Sequence, residues 1–90
     1  MKKSNRVLER IVKGFASYRR LQILELLKKE PELSLQEISE RVNSDFKNIS
    51  SHISKMAVAG LLMKRSDAHS VRHKLTKRGI NVLKFVRTLE

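Results

Sequence analysis

Cysteine is absent from this chain, which excludes disulfides, thiolate metal sites and thiol redox sensing. Glycine is scarce and forms no phosphate-cradling loop. No Ser-His-acid or paired-carboxylate arrangement rises above chance, so no enzymatic activity is expected. No apolar run approaches the length of a membrane span. The N-terminal Met1-Lys2-Lys3-Ser4-Asn5 leads into an amphipathic rather than an apolar stretch, so no signal peptide is expected and the cytoplasm is the expected compartment. Pro31 is the only proline. Acid is also in short supply, with 9 Asp and Glu against 20 Lys and Arg.

The resulting net charge of +11 draws a protein to polyanions, whether nucleic acid or an anionic membrane. Ninety residues, 40% of them hydrophobic, are expected to form one domain over 1–90. A core this small would gain from a partner chain. The charge is uneven. Residues 1–30 carry nine bases against three acids, residues 31–45 one against four, and residues 46–90 ten against two. The positive field lies where phosphate contacts would be needed if the middle of the chain met DNA.

Val7, Leu8, Ile11, Val12 and Phe15 form one apolar stripe, with Lys3, Arg6, Arg10 and Lys13 off it, so the first helix is basic and amphipathic. It ends near residues 14–16. Ser17 caps a second helix with a wide apolar face that includes Leu21, Ile23, Leu24, Leu26 and Leu27, and this helix stops before Pro31. Ser34 starts a third, with Glu37 as the reciprocal partner of a capping box and Leu35, Ile38 and Val42 inward. Asn43-Ser44 turns, and Asp45 caps a fourth helix whose inward face is Ile49, Ile53, Met56 and Gly60. Gly60 closes it in a left-handed conformation. Residues 61–65 and 70–75 read as two short strands around an Asp67-Ala68-His69 tip, and Thr76 caps a last helix bearing Ile80, Val82, Leu83, Val86 and Leu89. The order is α-α-α-α-β-β-α: mainly helical, with a small hairpin.

The third and fourth helices with their tight turn read as a helix-turn-helix, which presents side chains to a DNA major groove. With Ile49, Ile53 and Met56 inward, the opposite face carries Lys47, Asn48, Ser51, Ser54, Lys55 and Val58. The N-terminal part of such a helix meets base edges. Lys47, Asn48 and Ser51 are therefore the expected base-facing residues: Lys donates to guanine and Asn pairs with adenine. Ser50, Ser54 and Lys55 are expected on phosphates. In the hairpin, Lys64, Arg65, Arg72 and Lys74 are expected to reach the flanking backbone or minor groove; a solvated hairpin with a charged edge is the plainer reading of each charge alone. Phe46 is expected to pack on the preceding helix, with a thymine methyl as the alternative contact. His52 is expected to be packed and hydrogen-bonded rather than a metal ligand. His69 with Asp67 is too poor in ligands for zinc, so no metal site is expected, although one assembled across a dimer stays open.

The order of elements looks like a winged helix-turn-helix, and the sequence resembles the ArsR family of transcriptional regulators, with a wing exit shared with the MarR family. Tyr18 to Leu27 resembles the family's helix before the motif. Ile49-Ser50-Ser51-His52-Ile53 is similar to its recognition-helix core, Ala59-Gly60-Leu61-Leu62 to its helix-to-wing junction, and Leu75-Thr76-Lys77-Arg78-Gly79 to the wing exit. The likeness covers roughly residues 17–80. The chain departs from the family in lacking the Cys-containing metal motif and a wing-tip glycine. It also departs at Phe46 and Ser51, where the family often has a polar residue and an Arg or Lys, so the target sequence cannot be borrowed.

The resemblance implies a homodimer paired through the terminal segments 1–16 and 77–90, with Val7, Leu8, Ile11, Val12, Phe15, Leu83 and Val86 at the interface. Packing of those stripes within one chain is the plainer alternative. The expected function is a homodimeric repressor that reads an inverted repeat in double-stranded DNA and associates with the nucleoid. No cofactor, small-molecule ligand or membrane partner is expected. The alternative is an architectural DNA-binding protein of low sequence specificity. A protein-interaction version of the fold would lack Lys47, Lys55, Arg65, Arg72 and Lys74. A membrane-surface role for residues 2–15 ranks last, because their apolar stripe has a ready use in pairing two chains.

Overall fold

The computed structural model describes residues 2–90; Met1, the first residue of the expected 1–16 pairing segment, lies outside them. Each helix begins where a short polar side chain can take an otherwise unpaired N–H. Ser4 accepts from the Val7 amide to start α1 (Asn5–Phe15), and Ser17 accepts from the Arg20 amide at 3.0 Å to start α2 (Tyr18–Lys29). At Ser34 both halves of the capping box form: its hydroxyl accepts from Glu37 N at 3.1 Å, and Glu37 Oε1 accepts from Ser34 N at 2.9 Å. This launches α3 (Leu35–Arg41). Asp45 then accepts from Asn48 N at 2.8 Å to launch α4 (Phe46–Val58). Asn43, with φ +54°, makes the sharp turn between them. Each such cap is worth about 1 kcal/mol.

α2 runs through the centre, with Ile23, Leu24 and Leu27 almost fully buried. Around it pack Ile38 and Val42 from α3, Ile49, Ile53 and Met56 from α4, Leu61, Leu62 and Leu75 from the hairpin, and Val82 and Leu83 from α5 (Lys77–Arg87). The inward faces of α3 and α4 are the expected ones. Leu83 is placed differently from its expected position at a subunit contact. It is 9% exposed and belongs to the chain's own core, because the face of α5 that carries it turns toward α2.

The hairpin strands β2 (Leu62–Ser66) and β3 (Val71–Leu75) pair antiparallel in the register Leu62↔Leu75 through Ser66↔Val71. The tip needs no glycine, since the Asp67 carboxylate accepts from the amides of both His69 and Ser70 at 2.9 Å. A third strand was not expected. Leu33–Ser34, here β1, pairs with β3, giving the order β1-β3-β2. Two residues are too few to show alternation, and the strand exists only because the chain between α2 and α3 passes along the hairpin. His73, 3% exposed, hydrogen-bonds through Nδ1 to the Leu33 carbonyl at 2.9 Å and secures that edge. Two motif helices followed by a hairpin, to which β1 adds a third strand from before the motif, make this a winged helix-turn-helix. Among the described residues, no helix is long and apolar enough to cross a membrane.

The end of α4 and the start of α5 meet at one joint. The carbonyls of Ala59, Gly60 and Leu61 accept, in turn, from Arg78 Nη1 at 2.9 Å, Thr76 Oγ1 at 2.6 Å and Thr76 N at 3.1 Å. Gly60 has φ +77°, the left-handed closure expected of it. Gly79 is required by proximity, because a Cβ there would lie 2.2 Å from the Leu61 carbonyl oxygen. Gly79→Ala would gain about 1 kcal/mol of helix propensity on an open helix. Here the obstructing atom is backbone and cannot swing aside, so the variant is expected to lose a net 1–3 kcal/mol or so of stability, as overpacking does. The midpoint of urea unfolding reads this directly, and a midpoint at or above the parent's would show that the joint is slack.

Candidate nucleic-acid interface

The inward residues of α4 determine what its other side presents. Ile49, Ile53 and Met56 are at most 2% exposed, and burial of such side chains is worth roughly 2 kcal/mol each. The helix therefore cannot roll. Lys47, Asn48, Ser51, Ser54 and Lys55 all lie exposed on the opposite face, while Ser50 is half-buried at its margin. Asn48 Nδ2 donates to Ser44 Oγ at 3.3 Å. That bond orients the amide yet leaves its oxygen and a second N–H for a base edge.

Phe46 departs from its expected packing. It is 56% exposed, because the surface it faces on α3 is built from Gln36, Ser39 and Glu40 and offers no apolar recess. An aromatic ring thus stands at the leading end of the exposed stripe.

The wing divides its four cations. Lys64 pairs in register with His73 and Lys74 with Met63, so the two lysines point to opposite faces of the hairpin, and both are exposed. Arg65 and Arg72, expected from the sequence at the flanking backbone, are held by acids in the folded chain. Arg65 pairs with Glu32 at 3.0 Å. Arg72 lies 3.6 Å from Glu37 and 3.7 Å from Asp67, and it donates to the Glu32 carbonyl at 3.2 Å. Glu32 and Glu37 come from the segment 31–45, which folds against the wing through β1, and Asp67 comes from the wing tip. Pairs this exposed are worth about 0–1 kcal/mol, so a phosphate could displace them at modest cost.

His52 is packed and hydrogen-bonded as expected: its Nδ1 accepts from Arg20 Nε at 3.0 Å. The same guanidinium donates through Nη1 to the Lys13 carbonyl at 2.7 Å, which ties the end of α1 to α2 and α4. Burial, followed by the positive charges of Arg20, Lys55 and Arg19, holds the His52 pKa below the usual histidine value. Burial also lowers that of His73, opposed in part by its bond to the Leu33 carbonyl. Among the described residues, no three His, Asp or Glu side chains gather as a metal site would require.

The terminal helices expose an apolar face away from the core. Val7, Leu8 and Val12 on α1 and Phe85 on α5 are 37–55% exposed, and Leu89 beyond α5 is 69% exposed. Ile11, Phe15 and Val86 are half-buried against the core. Val12, Phe15, Val82 and Phe85 line one groove, so the two helices share this face. Phe85 was not singled out from the sequence. Its signal was the spacing of Val82, Phe85 and Leu89, a second stripe beside the one through Ile80 and Leu83.

Both lowered histidines accept a proton more readily in the unfolded chain than in the folded one. Acid therefore favours unfolding, and the stability they support is complete above the unfolded value of about 6.5 and declines below it. Glu37 is held low by hydrogen bonds from the Ser34 amide and hydroxyl, and Asp67 by the amides of His69 and Ser70. Their contributions fade only below the usual carboxylate pKa of about 4. The melting temperature is expected to stay level at neutral pH and to fall as pH drops from about 6.5 toward 5, a decline that His52→Gln with His73→Gln should flatten. Thermal melts across that range check it; a level profile in the parent protein would contradict the burial argument.

Comparison with known proteins agrees with this geometry. HlyU from Vibrio cholerae N16961 superposes with a TM-score of 0.81 at 29% identity, over 99% of this chain and 97% of that one. NolR from Sinorhizobium fredii gives 0.84 at 21% identity, over 99% and 96%. The homodimeric winged helix-turn-helix DNA-binding domain Mb0332 from Mycobacterium bovis, a possible ArsR-family transcriptional regulator, gives 0.84 at 21% identity, over 94% and 79%. No curated protein matches the sequence. The HVO_A0114 family matches residues 16–82, from the end of α1 into α5. The chain, a winged helix-turn-helix in fold, belongs to the HVO_A0114 family.

Proposed function

We propose that this chain is a double-stranded-DNA-binding transcriptional regulator that works as a homodimeric repressor, associated with the nucleoid in the cytoplasm. One observation carries the reading: the stripe Lys47, Asn48, Ser51, Ser54 and Lys55 is exposed on a helix whose other side is immobilised in the core. In a major groove, Lys47 would donate to guanine, Asn48 would pair with adenine and Ser51 would approach a base edge. Phe46 stands free to meet a thymine methyl. Ser50, Ser54, Lys55, Lys64 and Lys74 would hold phosphates, with Arg65 and Arg72 joining once they leave their carboxylates. Neither a cofactor nor a small-molecule ligand enters this scheme.

Two-fold pairing through the exposed face of α1 and α5 would bury Val7, Leu8, Val12 and Phe85, with Ile11, Phe15 and Val86 beneath them. Two recognition helices would then stand about 34 Å apart, one turn of DNA, which suits an inverted repeat. The Mb0332 domain, a homodimer of the same fold, supports this arrangement for the present chain.

Selection from a random DNA pool would supply the operator. On that duplex, Asn48→Ala is expected to weaken binding about 5- to 100-fold, the worth of one two-bond base contact, with little effect on random duplex. Fluorescence anisotropy at several salt concentrations measures both. Equal affinity of the parent protein for operator and random duplex at every salt would leave only the architectural alternative. Phe85→Asp places a charge in the proposed subunit contact and is expected to give a monomer in sedimentation equilibrium. A monomeric parent protein would remove the two-fold scheme.

A further inference from the structure

Four cations from three helices converge beside the recognition helix, at a place where the scheme above uses only Ser54 and Lys55. α1 crosses the end of α4 at Gly14, where a Cβ would lie 2.4 Å from Ala59 Cβ, so the two helices approach more closely than side chains normally permit. Along that crossing runs a groove of about 290 Å³ that receives Arg10 and Lys13 from α1, Arg20 from α2, and Ser54 and Lys55 from α4, with the exposed Val58 as its apolar wall. No acid lines it. The nearest, Glu9, is a solvent-exposed partner of Lys13 at 3.6 Å, the kind of pair that contributes about 0–1 kcal/mol and yields to a better anion.

Two features make this groove more than a patch of surface lysines. Arg20 is fixed in place: its Nε bonds His52 Nδ1 and its Nη1 bonds the Lys13 carbonyl, while Nη2 makes no hydrogen bond to the described residues. A guanidinium held on one side with donors free on the other is pre-organised for a phosphate oxygen. The groove also continues the exposed stripe of α4. Lys47, Ser51, Ser54, Lys55 and Val58 follow at helical spacing, so its mouth opens about one turn, 5.4 Å, beyond Ser51. When the first turns of a recognition helix lie among the bases, its last turns rise past the groove edge to the sugar-phosphate backbone.

From this geometry we infer that the α1–α4 groove is a second DNA-contact site, in which Arg10, Lys13, Arg20 and Lys55 clamp the phosphodiester backbone next to the bases read by α4. The first helix then has two uses: its basic side grips DNA while its apolar side, Val7, Leu8 and Val12, pairs the chains. The inference rests on the DNA-binding reading above and adds a site to it. DNA is favoured over a lipid headgroup because the groove joins the polar stripe of α4 and its one exposed apolar wall is Val58, whereas Val12 of α1 lines the separate groove shared with α5.

The full chain carrying Arg10→Gln and Lys13→Gln tests it, with Lys28→Gln and Lys29→Gln as a pair of equal charge change in the separate groove between α2 and α5. Each phosphate contact contributes about 0.9 to the slope of log affinity against log salt. The Arg10/Lys13 variant is expected to lower that slope by about 2 on both operator and random duplex, with their affinity ratio unchanged. The Lys28/Lys29 variant is expected to keep the parent slope. Circular dichroism and sedimentation verify that fold and subunit state are unaltered. A parent-like slope in the Arg10/Lys13 variant, or an equal drop in the two variants, overturns the clamp while leaving the DNA-binding reading intact. A parent protein that binds no duplex overturns both. A loss confined to cosedimentation with phosphatidylserine vesicles, with the DNA slope kept, also overturns the clamp and assigns the groove to lipid.

Discussion

Three consecutive carbonyls at the end of α4, those of Ala59, Gly60 and Leu61, are taken by Thr76 and Arg78 at the start of α5. Helix ends leave such carbonyls unsatisfied, and leaving them so where water is excluded costs about 1–3 kcal/mol each. Meeting all three from one short stretch welds the recognition helix to the last helix and closes the wing between them. Gly60 permits the turn and Gly79 permits the approach. The orientation of α4, the exit angle of the wing and the position of α5 all follow from this one joint. That is how a chain of this size can hold a reading face steady.

Charge is then distributed by the fold rather than by composition. Of the wing cations, Arg65 and Arg72 face carboxylates contributed by the segment 31–45 and by the wing tip, whereas Lys64 and Lys74 form no ion pair among the described residues. The acid-poor surface lies instead along α4 and into the groove under α1. A strong positive field therefore acts through a contoured path, and the paired arginines of the wing form a reserve that only a competing anion releases.

The terminal helices show the same economy. Ile11, Phe15, Leu83 and Val86 complete the core of one chain, so the core does not wait for a partner. What remains outside, Val7, Leu8, Val12 and Phe85, is a narrower face than the sequence stripes imply. The core and the exposed apolar face thus draw on adjacent residues of the same helices, and a substitution can address one without the other.

Local chemistry was legible in the sequence because its partners lie within a few residues. Ser17, the Ser34 and Glu37 pair, Asp45 and Thr76 begin the helices as read, Gly60 ends one, and the periodicity of Ile49, Ile53 and Met56 already oriented the candidate reading face. The tertiary structure alone decided what depends on distant partners. It added the two-residue strand β1, buried Leu83, exposed Phe46, committed Arg65 and Arg72 to acids, and assembled the groove of Arg10, Lys13, Arg20 and Lys55. The physical reason is range. A cap or an apolar stripe is completed within a turn or two of its own helix, so a linear pattern records it. An ion pair such as Arg72 with Glu37, or a bond such as Arg20 to His52, comes into being only after the chain has brought together residues more than 30 positions apart.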